Sequence, residues 1–228
     1  MRKENTRFDE FGFGLQRTEH ARVVVCDNCK FFMTFAQREL SKIGIGEIDL
    51  IESVDSKQLI PSVNHADLLI VDSSWGTTRG VDFISAVKSS GHNGILILAS
   101  GDFSIELIDR AVWAGVDDLF IKNNRFSLRR DFGFLLSKYF FENDRPVVSE
   151  QILPDSSFLH CIGLSRFERE LLESYYPEFL SSKELASILC KKEGYIRKVL
   201  SNIQHKFHVN GAAQLGRMLT LCSRFGRR

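Results

Sequence analysis

The sequence predicts a doubly wound α/β layer built on a five-stranded parallel sheet, followed by a small all-α domain. Three observations predict it. Between residues 22 and 142, five short runs rich in Val, Ile and Leu alternate with stretches of helical period. The stretch 143–160, with Pro146, Pro154 and several acids and serines, interrupts that alternation. Beyond it the period is helical throughout and the charge changes sign. Residues 1–150 hold 18 Lys and Arg against 22 Asp and Glu, whereas residues 151–228 hold 12 against 7.

The elements follow in order. Residues 1–20 hold no period and are expected to be a flexible extension. Strands are expected at Arg22–Cys26, Gly46–Ile51, Asp67–Val71, Gly94–Ala99 and Asp118–Ile121, each too short for a buried helix. Helical period fills Lys30–Ile43, Ser56–Val63, Val81–Ser90, Ser104–Ala114 and Phe126–Glu142. This strand-helix alternation defines a domain over 21–142, and 143–160 reads as a linker. In the domain over 161–228, helices are expected at Ser165–Tyr176, Ser182–Leu189, Glu193–Phe207 and Ala212–Arg224. Ser165 with Glu168, and Ser181 or Ser182, supply the N-caps.

Composition narrows the function classes. With 43% hydrophobic and 26% charged residues the chain is an ordinary globular one. No apolar run approaches the ~18 residues of a bilayer span, and the first 20 residues lack a signal-peptide core. A cytoplasmic location without membrane contact is expected. The five cysteines are scattered and odd in number, so no disulfide framework is expected. Cys26 and Cys29 form a C-x-x-C, but Cys26 falls on the buried end of a strand and no aromatic precedes it, so packing outweighs a redox role. The six histidines show no zinc spacing with the cysteines. No G-x-G-x-x-G follows the first strand, and no Ser-His-Asp set stands out. With none of these patterns present, the chain is not expected to be an enzyme.

Polar residues at the strand ends carry the chemistry. A parallel sheet gathers its C-terminal edges, so Asp27, Asp72, Ser100 and Lys122 should converge. A carboxylate can accept a phosphoryl group, a second can hold Mg²⁺, a hydroxyl can bind a phosphate oxygen, and an ammonium can offset the charge. With these residues in this order, the stretch Arg22–Glu142 resembles the receiver domain of two-component response regulators. The resemblance implies that Asp72 is the phosphoacceptor and Asp27 a metal-site acid. It makes Ser100 the switch hydroxyl and Lys122 the phosphate-binding lysine. Three positions depart from the family pattern. Asn28 stands where a second acid is usual, Gly76 where Pro is common, and Leu119 at the aromatic switch position. Asn28 offers a metal only a neutral oxygen, so Mg²⁺ held by Asp27, Asp72 and Asn28 should bind weakly.

The basic second domain has its own pattern. Ile196, Val199, Leu200, Ile203 and Phe207 recur at one helical face, with Arg197, Lys198, Ser201 and Gln204 off it. Two helices with a tight turn, the second polar and basic outside, describe a helix-turn-helix. Leu164-Ser165, Glu168–Glu170, Ser181–Ala186, Tyr195–Arg197 and Asn202–Phe207 occur in the order of the LuxR-type helix-turn-helix, which residues 164–217 resemble. Receiver plus LuxR-type helix-turn-helix is the arrangement of NarL/FixJ-type response regulators. The resemblance implies Arg197, Lys198 and Ser201 as base readers and Lys183, Lys192 and Lys206 as phosphate contacts. It further implies a homodimer on an inverted-repeat duplex DNA operator, and a sensor histidine kinase as phosphodonor. Two alternatives stay open: a phosphorylation-independent regulator whose receiver is a dimerisation or docking platform, and a phosphotransfer adaptor without DNA binding.

Overall fold

The structure is a computed structural model that describes residues 18–52, 56–75, 79–122, 128–141, 162–176 and 178–222. The five strands, β1 (Arg22–Cys26), β2 (Glu47–Ile51), β3 (Leu68–Asp72), β4 (Ile95–Ser100) and β5 (Asp118–Ile121), form one parallel sheet in the order β2-β1-β3-β4-β5. Helices α1 (Lys30–Lys42), α2 (Ser56–Val63), α3 (Gly80–Ser89), α4 (Ile105–Ala114) and α5 (Leu128–Phe140) connect and follow the strands. Because strand side chains alternate between faces, Val24, Cys26, Leu69, Val71, Leu96, Leu98 and Leu119 enter one apolar cluster with α3 and α4. Val23, Val25, Leu68, Ile70, Ile97, Ala99 and Phe120 enter another with α1 and α5. That second face is aromatic: the rings of Phe32, Phe35 and Phe120 each lie within about 6 Å of the Phe132 ring. Both faces are covered, which is why these strands read as continuous apolar runs.

Four helices follow: α6 (Arg166–Tyr175), α7 (Ser182–Ile188), α8 (Glu193–Lys206) and α9 (Ala212–Cys222). Capping boxes open α6 at Ser165/Glu168 and α7 at Ser181/Glu184. Both were encoded as Ser-x-x-Glu. The helical part is joined to the α/β part by α9, which lies against α4. One apolar cluster runs from the sheet through α4 into α9, and Arg217 Nη2 meets Asp109 Oδ2 at 3.1 Å beside it.

One boundary differs from expectation. Of the expected extension, residues 1–17 lie outside the described residues, as does the expected linker at 143–160. Residues 18–20, however, belong to the body. Thr18 is buried, and its carbonyl accepts the N–H groups of Ala21 (3.1 Å) and Gly46 (3.0 Å). A Cβ at Gly46 would stand 1.9 Å from the Glu19 carbonyl oxygen, so this approach needs glycine. The C-x-x-C is split: Cys26 is buried, Cys29 is exposed, and burial pushes the Cys26 thiol up, away from the reactive thiolate. Among the described residues, no helix is long and apolar enough to cross a membrane.

Candidate functional site

Strand order reverses between β1 and β3, which opens the crevice where doubly wound folds hold ligands. Asp27 follows β1 directly and Asp72 ends β3, and both are buried. Lys122 follows β5, two strands away. Its stem carries the ammonium past the Phe32 ring, 5.3 Å from the centroid. There Nζ donates to Asp27 Oδ2 at 2.7 Å and to Asp72 Oδ1 at 2.5 Å. Three of the four residues expected at this edge therefore meet.

Local donors satisfy the other two carboxylate oxygens. Cys29 N–H donates to Asp27 Oδ1 at 2.7 Å. Ser74 donates both its N–H (3.0 Å) and its hydroxyl (2.6 Å) to Asp72 Oδ2. Trp75 is fully buried and steadies this turn by donating its indole N–H to Ile51 O and Glu52 O, each at 3.1 Å. Gly80 closes in behind: a Cβ there would lie 2.0 Å from the Asp72 carbonyl oxygen. Ser74 was not foreseen. Its signal was the Asp-x-Ser pattern, in which an aspartate accepts the N–H two residues on.

Ser100 is placed differently from expectation. It ends β4 and is buried, but its hydroxyl donates to Asp102 O at 2.6 Å and lies 2.8 Å from Ser73 Oγ. It reaches neither carboxylate, because the loop after β4 folds back onto it. Leu119 is wholly buried in the α3/α4 cluster. Asn28 is exposed at the mouth of the cleft, with Nδ2 3.3 Å from Ser74 O.

Burial pushes the Asp27 carboxyl above the usual carboxylate range, and the bonds from Lys122 and Cys29 only partly offset it. Burial pulls the Lys122 ammonium down, but Asp27 and Asp72 outweigh it and hold the proton more firmly than usual. Lys122 is thus a fixed positive charge between two carboxylates. The cleft above has a volume of about 350 Å³, lined in part by Asn28, Cys29 and Ser74. Among the described residues, no group of three or more His, Cys, Asp or Glu side chains could hold a metal. Two carboxylates, an amide and the Ser74 main-chain carbonyl still make a hard oxygen set, which fits Mg²⁺ completed by water.

The second cluster of expected residues lies on the helical part. Residues 189–192 connect α7 to α8, and Cys190 in that turn adopts φ 51°. Ile196, Val199, Ile203 and Phe207 are buried and Leu200 half-buried, as the period predicts. Lys183, Lys192, Arg197, Lys198 and Ser201 are all exposed. Arg197 Nη2 donates to Glu193 Oε1 at 2.6 Å, and Glu193 also accepts the Ser182 hydroxyl at 3.1 Å. This ties the start of α7 to the first turn of α8.

Lys206 departs from the expected outer face. Its Nζ donates to Glu168 Oε2 at 2.6 Å and to Gly163 O at 3.1 Å. Glu168 is the capping-box residue of α6, held below the usual carboxylate range because Lys206 and Ser165 outweigh its burial. Lys206 therefore staples the end of α8 to the start of α6. Its side chain is half-buried, with the ammonium engaged by other residues of the helical part.

Strand order, helices on both faces and an acid-lysine triad at the switch point define a flavodoxin-like doubly wound domain, joined here to a four-helix part. No protein-family model matches the chain, and no curated protein matches it. Solved structures do. The chain is similar to the RcsB response regulator of Salmonella typhimurium, at 18% identity and a TM-score of 0.44 over 89% of this chain and 98% of that one. It is also similar to RcsB of Salmonella enterica serovar Typhimurium bound to the rprA promoter with phosphomimetic BeF3⁻, at 19% identity and a TM-score of 0.45 over 88% and 98%. The chemotaxis protein CheY4 of Vibrio cholerae matches 53% of this chain with 98% of its own, at 15% identity and a TM-score of 0.46.

Proposed function

We propose that the chain is a DNA-binding transcription regulator of the NarL/FixJ response-regulator kind, with Asp72 as phosphoacceptor. The observation that carries the reading is the Lys122 bridge between Asp27 and Asp72 on a chain that also bears an exposed basic α8. Lys122 would draw an anionic phosphodonor to Asp72 and offset the charge that arrives with it. Asp27, Asp72, Asn28 and the Ser74 carbonyl would hold Mg²⁺. The bound ion would stabilise charge on the transferring phosphoryl group. On the helical part, Arg197, Lys198 and Ser201 would read bases, with Lys183 and Lys192 on phosphates. Two copies on an inverted repeat supply the specificity that one short helix lacks. A sensor histidine kinase is the fitting donor class.

The test has two arms on the full chain. Asp72 should take up label from acetyl phosphate with Mg²⁺, and Asp72→Ala should not. Genomic immunoprecipitation should recover an inverted-repeat site whose affinity falls with Arg197→Ala more than random DNA does. A second reading, a regulator that never uses phosphate, is favoured by one observation: every carboxylate oxygen of Asp27 and Asp72 already has a donor from this chain. Normal gene control by Asp72→Ala in cells would select it.

A further inference from the structure

We infer that Glu193 is a positioning residue that holds the Arg197 guanidinium ready for one guanine in the major groove; this rests on the DNA-binding reading above. From Cys190 to Arg228 the sequence holds nine Lys and Arg and a single acid, Glu193. That acid opens α8, and the first turns of a reading helix are the part that faces bases. A carboxylate there repels phosphates and lowers affinity for every duplex. Its place is explained if it acts on selectivity and not on affinity.

The bonds around Arg197 give it that action. Arg197 Nη2 donates to Glu193 Oε1 at 2.6 Å, and Nε donates to Ser182 Oγ at 3.4 Å. The Ser182 hydroxyl in turn donates to the same Glu193 oxygen at 3.1 Å. The bond from Arg197, and after it that from Ser182, holds the Glu193 carboxyl below the usual carboxylate range. Glu193 is half-buried and Ser182 belongs to α7, so the anchor draws on two helices. An exposed ion pair of this kind adds little to folding, so its effect is to be sought in binding. The guanidinium is planar and rigid, so fixing one edge fixes the other. Nε and Nη2 face the anchor, while Nη1 and the second Nη2 hydrogen take no part in these bonds. Two parallel N–H groups of that kind match O6 and N7 of guanine, whereas adenine offers an amino group in place of O6. An arginine held in this way loses less side-chain freedom on docking than a free one, and it is kept from swinging to a neighbouring phosphate.

The experiment selects duplexes from a randomised pool with the full-length wild type. It then measures Kd for the selected duplex, for copies with single G·C pairs changed to A·T, and for random-sequence DNA. Arg197→Ala identifies the guanine, because discrimination at that pair is lost. Glu193→Ala should lower discrimination at the same pair by about tenfold while tightening random DNA. Glu193→Gln keeps an oxygen acceptor without the charge, so random DNA should tighten as much while most of the discrimination stays. In the Arg197→Ala background, Glu193→Ala should move random DNA alone. Undiminished discrimination in Glu193→Ala, or a further loss when it is added to Arg197→Ala, overturns the positioning role and leaves DNA binding in place. So does an Arg197→Ala chain that discriminates as wild type does. A selection that enriches no duplex overturns the positioning role and the DNA-binding reading together.

Discussion

Lys206→Ala separates two roles that the sequence alone made look alike. As a phosphate contact, Lys206 would weaken binding to every duplex and flatten the salt slope by about one unit. As a staple, it would act on folding. Glu168 is 7% exposed, and Lys206 and the Ser165 N–H share its Oε2. Removing the lysine takes away one charge-assisted bond, worth ~1.5–3 kcal/mol where water cannot replace it. The Lys206 side chain is 33% exposed, so water makes up part of the loss. The net cost should be about 1–2 kcal/mol. A urea titration should show a lower midpoint with an unchanged slope. Adding Glu168→Gln should cost little more, because the two groups act on each other. The acid dependence has a fixed sign. Glu168 has a depressed folded pKa, so its contribution is complete above the unfolded value of about 4.3 and is lost as pH falls through the folded one. The gap between wild type and Lys206→Ala should close over that range. An unchanged urea midpoint together with a salt slope lower by about one would refute the staple and restore the phosphate role.

Two further outcomes follow from local chemistry. Asn28→Asp adds a carboxylate at the mouth of the cleft above Asp27 and Asp72 and should tighten Mg²⁺ by about tenfold or more, read by calorimetric titration; unchanged affinity would place Asn28 outside the metal's reach. Cys190 holds φ 51° in the turn before α8, a region that glycine enters without a Cβ penalty. Cys190→Gly should therefore stabilise the chain by ~0.5–1 kcal/mol in denaturant and leave DNA affinity intact, and a loss of stability would show that the thiol packs usefully.

The sheet was legible because both of its faces are buried. Runs such as Leu68–Val71 and Leu96–Ala99 have no polar side to expose, and only a central parallel strand tolerates that. Asp27, Asp72 and Lys122 were legible because strand ends converge whatever the side chains do. Ser100 was not, since its placement depends on the rotamer of one hydroxyl and the path of residues 101–103. Hydroxyl orientation leaves no periodic trace in sequence. Lys206 fails for a similar reason. Its spacing on α8 sets its angle about the helix axis, but Glu168 lies 38 residues away and nothing local announces the pairing. The Asp109–Arg217 pair, 108 residues apart, is silent for the same cause.

The contact between α4 and α9 constrains how the two parts can communicate. Among the described residues the exposed face of α8 stays open while α9 lies on α4, so control by an α/β part that covers α8 does not fit this arrangement. What the α/β part does touch is reached from Asp72 in few steps. Ser73 follows Asp72 and meets Ser100, Ser100 bonds to Asp102, and Ser104 caps α4 by accepting the Leu107 N–H at 3.2 Å. A phosphoryl group that drew Ser100 off Asp102 would release the entry to α4, and α4 carries α9. The ion pair at this seam is an exposed one worth at most about 1 kcal/mol, so the apolar contact does most of the holding. Linkage then fixes a testable equality. If fluoroberyllate with Mg²⁺ changes operator affinity by some factor, operator DNA must change fluoroberyllate affinity by the same factor. Lengthening the path with a bulky residue at Ala111 would disturb the core itself, but Arg217→Glu places like charges across the seam beside Asp109. It should loosen the α4–α9 contact and shrink both factors together. If the factors persist unchanged in Arg217→Glu, the seam is a mechanical joint and the signal leaves the α/β part by another face.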